Sequence, residues 1–179
     1  VADSPLGDFV KLSEEEGGVL LSTSSDWVGR VVSAGHHSFI PVGDELFISY
    51  HTFKTRMEIK GGRAIAVDKV VWTENAEGLD VMHVNGPSYS VQPLPKFISG
   101  YGNIAPEADV TASNTAADSN PAYLTDGLIK YQQNDLATEY EANKGVSSIR
   151  FEWDDYRTIR GLMVYNSWDY YKTFAQIDS

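Results

Sequence analysis

The chain of 179 residues contains no cysteine. That absence excludes disulfides, thiolate metal centres and cysteine nucleophiles together, while leaving the compartment open. Long apolar runs are missing too. Nothing approaches the roughly 20 consecutive apolar residues of a membrane-spanning helix, and Val1-Ala2-Asp3-Ser4-Pro5 is not signal-like. Basic residues are scarce: 14 Lys and Arg stand against 25 Asp and Glu, for a formal net charge of -11. Phosphate backbones and anionic membranes are held by clustered cations, so nucleic acid and membrane are excluded as partners. Neutral or cationic ligands suit this balance better. Helical periodicity is absent beyond about two turns, with Pro121–Ile129 offering one short helical turn.

Aromatic residues are plentiful at 12%, including ten Tyr and four Trp. Most such rings pack in sheets and cores. The same rings also stack on the C–H faces of sugars. Hydrophobic residues at 42% and charged residues at 22% are those of a folded globular chain. The runs Trp27–Val32, Leu46–Phe53, Arg63–Trp72 and Val146–Trp153 are rich in β-branched and aromatic residues. Turn residues separate them at Gly43-Asp44, Gly61-Gly62 and Asn85-Gly86-Pro87-Ser88. The class is therefore all-β.

The stretch Gly35–His51 holds three of the four histidines. It reads as a strand, a polar turn and a second strand. In the second strand Leu46, Ile48 and Tyr50 face one way and Phe47, Ser49 and His51 the other. Imidazoles at strand ends beside Gly35 face either a ligand or a core. Farther along, Pro93-Leu94-Pro95-Lys96 interrupts strand pairing and Ser99-Gly100-Tyr101-Gly102-Asn103 supplies flexible backbone. A boundary is expected near residues 93–103, dividing the chain into residues 1–97 and 98–179. The Pro-Leu-Gly turn at the start and the strand-like Phe174–Ser179 at the end imply a segment of something larger. Another chain supplying the rest is the alternative. Glu14-Glu15-Glu16 reads as a solvated run rather than a catalytic one.

Residues 3–95 resemble the C-terminal blades of a glycoside hydrolase family 43 five-bladed β-propeller. The carrying residues are Ser4-Pro5-Leu6-Gly7-Asp8-Phe9, Gly35-His36-His37-Ser38 and Leu46-Phe47-Ile48-Ser49-Tyr50-His51. They continue with Gly62-Arg63, Val67-Asp68-Lys69-Val70 and Asn85-Gly86-Pro87-Ser88. The second part resembles a factor V/VIII type C (discoidin-like) domain, a β-sandwich of jelly-roll type often used to bind carbohydrate. Its carrying residues are Asn103-Ile104-Ala105, Val110-Thr111-Ala112-Ser113, Leu124-Thr125-Asp126-Gly127 and Ile159–Asn166. Where that family often carries Thr-x-Trp, this chain has Thr138-Glu139-Tyr140.

The resemblance implies a partial propeller followed by a partial sandwich. It also implies an enzyme that cleaves arabinofuranosyl or xylosyl linkages with inversion. Inversion takes two carboxyl groups on opposite faces of the scissile bond, and the resemblance places both on blades before this sequence. The chain alone is then expected to be inactive, and no catalytic Asp or Glu is assigned within it. The implied partner is plant cell-wall polysaccharide or oligosaccharide, and the implied setting is secreted or periplasmic. His36 falls where the family places an axial histidine, in several members through water or Ca²⁺; a core histidine is the plainer reading. Arg63 matches an arginine near the catalytic acid, or else is a surface residue at a strand start. Asp126-Gly127 lies where such domains place a structural Ca²⁺ loop, with an ordinary Asp-Gly turn as the alternative. His37 and His51 are expected to be architectural. Tyr165-Asn166-Ser167-Trp168-Asp169-Tyr170-Tyr171 suits stacking or sheet-edge packing. A carbohydrate-binding protein without catalysis is the competing function, and a purely structural fragment a third.

Overall fold

Strand β1 (Val32–Val42) and strand β2 (Glu45–Phe53) form the hairpin read from the sequence, turning at Gly43-Asp44. Gly43 has φ of +63°, the left-handed conformation that glycine adopts without a Cβ penalty. Strand β3 (Ala64–Glu74) pairs antiparallel with β2, and β4 (Asp80–Val84) with β3. The sheet order is β1-β2-β3-β4, a curled antiparallel half-barrel. Pro41 lacks an amide donor and is tolerated because β1 lies at the end of that order. The structure, a computed structural model, describes residues 1–2, 4–22, 31–53, 62–131 and 137–167. Most of the expected strand Trp27–Val32, the expected strand Phe174–Ser179, and Trp168 to Tyr171 lie outside the described residues.

Alternation decides the core. Ile48, Tyr50, Val70 and Val84 form its buried centre, with Leu46, Ala66 and Met82 packed around them. Register explains the grouping: Leu46 lies opposite Val70, Tyr50 opposite Ala66, and Val70 opposite Val84. Leu20, Leu21 and Ala34 cover this face. A fully buried aliphatic side chain such as Ile48 contributes about 1.5–3 kcal/mol. The opposite face is less covered near β3, where Ile65 is 85% exposed.

The second half is thinner. Strand β5 (Asp109–Ala112) pairs with β6 (Ile149–Glu152) over four residues each. The expected strand at Val146–Trp153 is thus realised over its middle. Ser113 and Ser148 extend the ladder by a backbone bond and by Ser148 N–H donating to Ser113 Oγ at 3.0 Å. A 3₁₀ turn at Pro121–Leu124 occupies the site of the expected helical turn, capped by Asn120, whose side chain accepts from Ala122 N–H. Among described residues after 98, the buried ones are Tyr131 and Ala137.

Residues 93–103 dock back onto the hairpin. The short helix α1 (Lys96–Ser99) begins after Pro95, and Lys96 N–H donates to Glu45 Oε2 at 2.6 Å. Glu45 Oε1 meanwhile takes Lys69 Nζ at 2.7 Å. One carboxylate therefore ties β2, β3 and the helix start together.

Candidate functional site

The histidine end of the hairpin is built by irregularity in β1. Two register shifts fall between Val32 and Gly35 and between Gly35 and Ser38, and Ser33 and His36 adopt φ of +57° and +50°. Such bulges re-aim side chains and gather at functional sites. A left-handed residue other than glycine costs roughly 1–2 kcal/mol, and histidine is among the residues enriched there. His36 is exposed, and its ring lies 6.3 Å from that of His51, centroid to centroid. His37 sets its ring edge-on against Phe39 at 5.3 Å instead. Consecutive histidines thus take different partners. Gly35 lies opposite His51, and His51 opposite Ile65 on β3.

Arg63 immediately precedes β3, two residues from Ile65, and is exposed. The sheet brings His36, His51 and the Arg63 backbone toward one end. Among the described residues no carboxylate is paired with His36 or with Arg63.

Asp126 forms an Asx turn: its Oδ1 accepts from Leu128 N–H at 2.9 Å. Burial raises its carboxyl above the usual range, against the Leu128 hydrogen bond and the nearby His83. The Gly127 carbonyl, a natural oxygen ligand, is taken by Asn85 Nδ2 at 2.9 Å. Calcium takes six to eight oxygens. No group of three or more His, Asp or Glu is assembled for a metal among the described residues. The donors present at His36 and at Asp126 do not by themselves fit such an ion.

A buried polar centre lies elsewhere, on residues the sequence did not single out as a site. Asp68 is 1% exposed. Its Oδ2 accepts from Tyr50 Oη at 2.5 Å and from Ser88 N–H at 3.1 Å, while Oδ1 has no hydrogen-bond partner among the described residues. Burial, then the Asp68 charge and the hydrogen bond to it, push the Tyr50 phenol well above its ordinary range. A Cβ at Gly86 would run into Asp68 Oδ2, so glycine permits the close approach of the Gly86–Ser88 loop. The available signal was one acid at an inward position of β3, between Ala66 and Val70.

From this loop a seam runs to the second half. Asn85 is 5% exposed, and its amide both donates to Gly127 O and accepts from Ile129 N–H at 3.0 Å. His83 Nε2 lies 3.3 Å from Ile129 O. The buried Tyr131 hydroxyl meets Ser90 Oγ at 2.9 Å and accepts from Gln92 Nε2 at 3.1 Å. Tyr165 donates to Gln92 Oε1 at 3.5 Å. Of the expected aromatic patch, Tyr165 thus belongs to this seam. No family model, curated protein or solved structure matches the chain.

Proposed function

We propose that this chain is the C-terminal part of an inverting glycoside hydrolase acting on arabinose- or xylose-containing polysaccharide. In this reading residues 1–97, with β1–β4, are the last blades of a family 43-type five-bladed propeller, and residues 98–179 a partial discoidin-like β-sandwich. His36 and Arg63 line one wall of the site, and the general acid and base stand outside this sequence. The guanidinium of Arg63 donates to sugar hydroxyls and orients a carboxylate, and His36 supplies an imidazole beneath the sugar. The substrate is a plant cell-wall polysaccharide, and the setting secreted or periplasmic.

The observation that carries this reading is the bulged end of β1. It holds His36 in a left-handed conformation beside His51, with Arg63 at the start of β3 toward the same end. The competing reading is a carbohydrate-binding protein without catalysis. It is favoured by the lack of a carboxylate paired with His36 or Arg63 among the described residues.

The test is expression of the chain joined to the coding sequence that precedes it, followed by assay on arabinoxylan. Release of arabinose or xylose is expected, with the inverted anomer appearing first by NMR. His36→Ala and Arg63→Ala are each expected to lower kcat/KM by about 10²-fold, the scale of a lost positioning group. Pentose release unaffected by both variants sinks the assigned roles. Saturable polysaccharide binding without pentose release moves the conclusion to the binding protein.

A further inference from the structure

We propose that Tyr89, Ser90, Gln92 and Tyr165 form a binding site for a neutral saccharide on the seam between the loop after β4 and the second half. None of these residues belongs to the His36–Arg63 wall. The site stands on its own geometry, and the choice of pentose oligosaccharides as probes rests on the glycosidase reading.

Tyr89 is 41% exposed, yet its ring is held edge-to-face on Tyr131, with centroids 5.5 Å apart and planes at 83°. Tyr131 is itself 5% exposed and anchored through its hydroxyl to Ser90 and Gln92. An exposed ring standing on a buried and hydrogen-bonded one is preorganised, so little freedom is lost when a ligand stacks on it.

Polar groups gather at the hydroxyl of Tyr131, the ring against which Tyr89 is held. Gln92 Nε2 donates to Ser90 Oγ at 3.1 Å as well as to Tyr131, which fixes the amide plane. Gln92 Oε1 receives Tyr165 Oη at 3.5 Å, long enough that a ligand hydroxyl can make the stronger bond. Ser90 is exposed, and its hydroxyl is both donor and acceptor. Burial raises the Tyr131 and Tyr165 phenols, so both keep their hydrogens at neutral pH. The assembly links one exposed ring, through Tyr131, to an ordered amide and hydroxyls. Tyr89, Ser90, Gln92 and Tyr165 are themselves uncharged side chains. A ligand that is apolar on one face, rich in hydroxyls at its edge and uncharged fits that chemistry: a sugar ring. An anionic ligand would meet a chain of net charge -11.

The experiment titrates the whole 179-residue chain, isotope-labelled for NMR, with xylohexaose and separately with arabinohexaose. Saturable shifts are expected at the Tyr89 ring, the Ser90 amide and the Gln92 side-chain amide with at least one of them. Tyr89→Ala is expected to weaken binding about tenfold, the scale of one lost stacking contact, and Tyr89→Phe to retain it. Gln92→Ala serves as the second variant, with thermal unfolding recorded for each. The proposal is overturned if neither sugar shifts these residues, or if binding persists unchanged in both Tyr89→Ala and Gln92→Ala. Shifts confined to His36 and His51 would overturn this site and leave the glycosidase reading standing. Shifts confined to Tyr89 and Gln92 would support this site, and the His36–Arg63 wall is then decided by the pentose-release assay alone.

Discussion

Tyr50 and Asp68 meet on the inward face of the sheet, where the tyrosine hydroxyl donates to Asp68 Oδ2 at 2.5 Å. They are diagonal neighbours, since Tyr50 lies opposite Ala66 and Asp68 opposite Ile48. The same oxygen takes the Ser88 N–H, so one carboxylate oxygen joins β2, β3 and the loop leaving β4. A buried charge of this kind is held by its donors, and each donor removed leaves it less compensated.

Tyr50→Phe removes one of those two donors while preserving the ring. It is expected to destabilise the fold by about 1.5–3 kcal/mol, the range for a hydrogen bond to a charged group. Asp68→Ala is expected to cost more, because the Tyr50 hydroxyl and the Ser88 N–H both lose their acceptor. Urea unfolding midpoints of the two variants decide it. An unchanged midpoint in Tyr50→Phe would show that the contact carries no stability.

Asn85 clasps the two halves through both ends of its amide. Asn85→Ala leaves the Gly127 carbonyl and the Ile129 N–H without that partner, at an expected cost of about 2 kcal/mol. Hydrogen exchange at the Ile129 amide is expected to accelerate accordingly. Exchange at Ile129 equal to that of the parent protein would show that the clasp does not hold this segment.

Alkaline stability follows from the tyrosines. The phenols of Tyr50, Tyr131 and Tyr165 are all raised, first of all by burial. The folded state therefore retains protons that the unfolded chain releases near its ordinary phenol value of about 10. This contribution is complete below that pH and is lost as pH rises through the folded values. Urea midpoints are expected to be level to about pH 9 and to fall above about pH 10, with a shallower fall in Tyr50→Phe. A midpoint that stays level to about pH 11 would contradict the raised phenols.

The hairpin was legible because its determinants are local. Alternation in Leu46–Phe53 and the Gly43-Asp44 turn specify two strands and their connection before any distant contact forms. The run Arg63–Trp72 was legible as a strand, and the structure divides its faces, with Asp68 and Val70 buried and Ile65 and Val67 exposed. The histidines were legible as a cluster, and their division was partly so. His36 turns to His51 and His37 to Phe39 because two bulges rotate the chain, and no local composition marks where a bulge falls. The stretch 93–103 read as spacer from its prolines and glycines, yet Lys96 docks on Glu45 across 51 residues.

Side-chain period and turn chemistry specify a mostly β chain with a His-bearing hairpin, since each acts over a few residues. Which side chains converge is a matter of closure. Asp68 meets Tyr50 across 18 residues, Tyr131 meets Ser90 across 41, and Asn85 meets Gly127 across 42. Those meetings depend on the curl and register of the sheet and on how the second half lies against it, and a carboxylate or a tyrosine carries no mark of its partner until that packing forms.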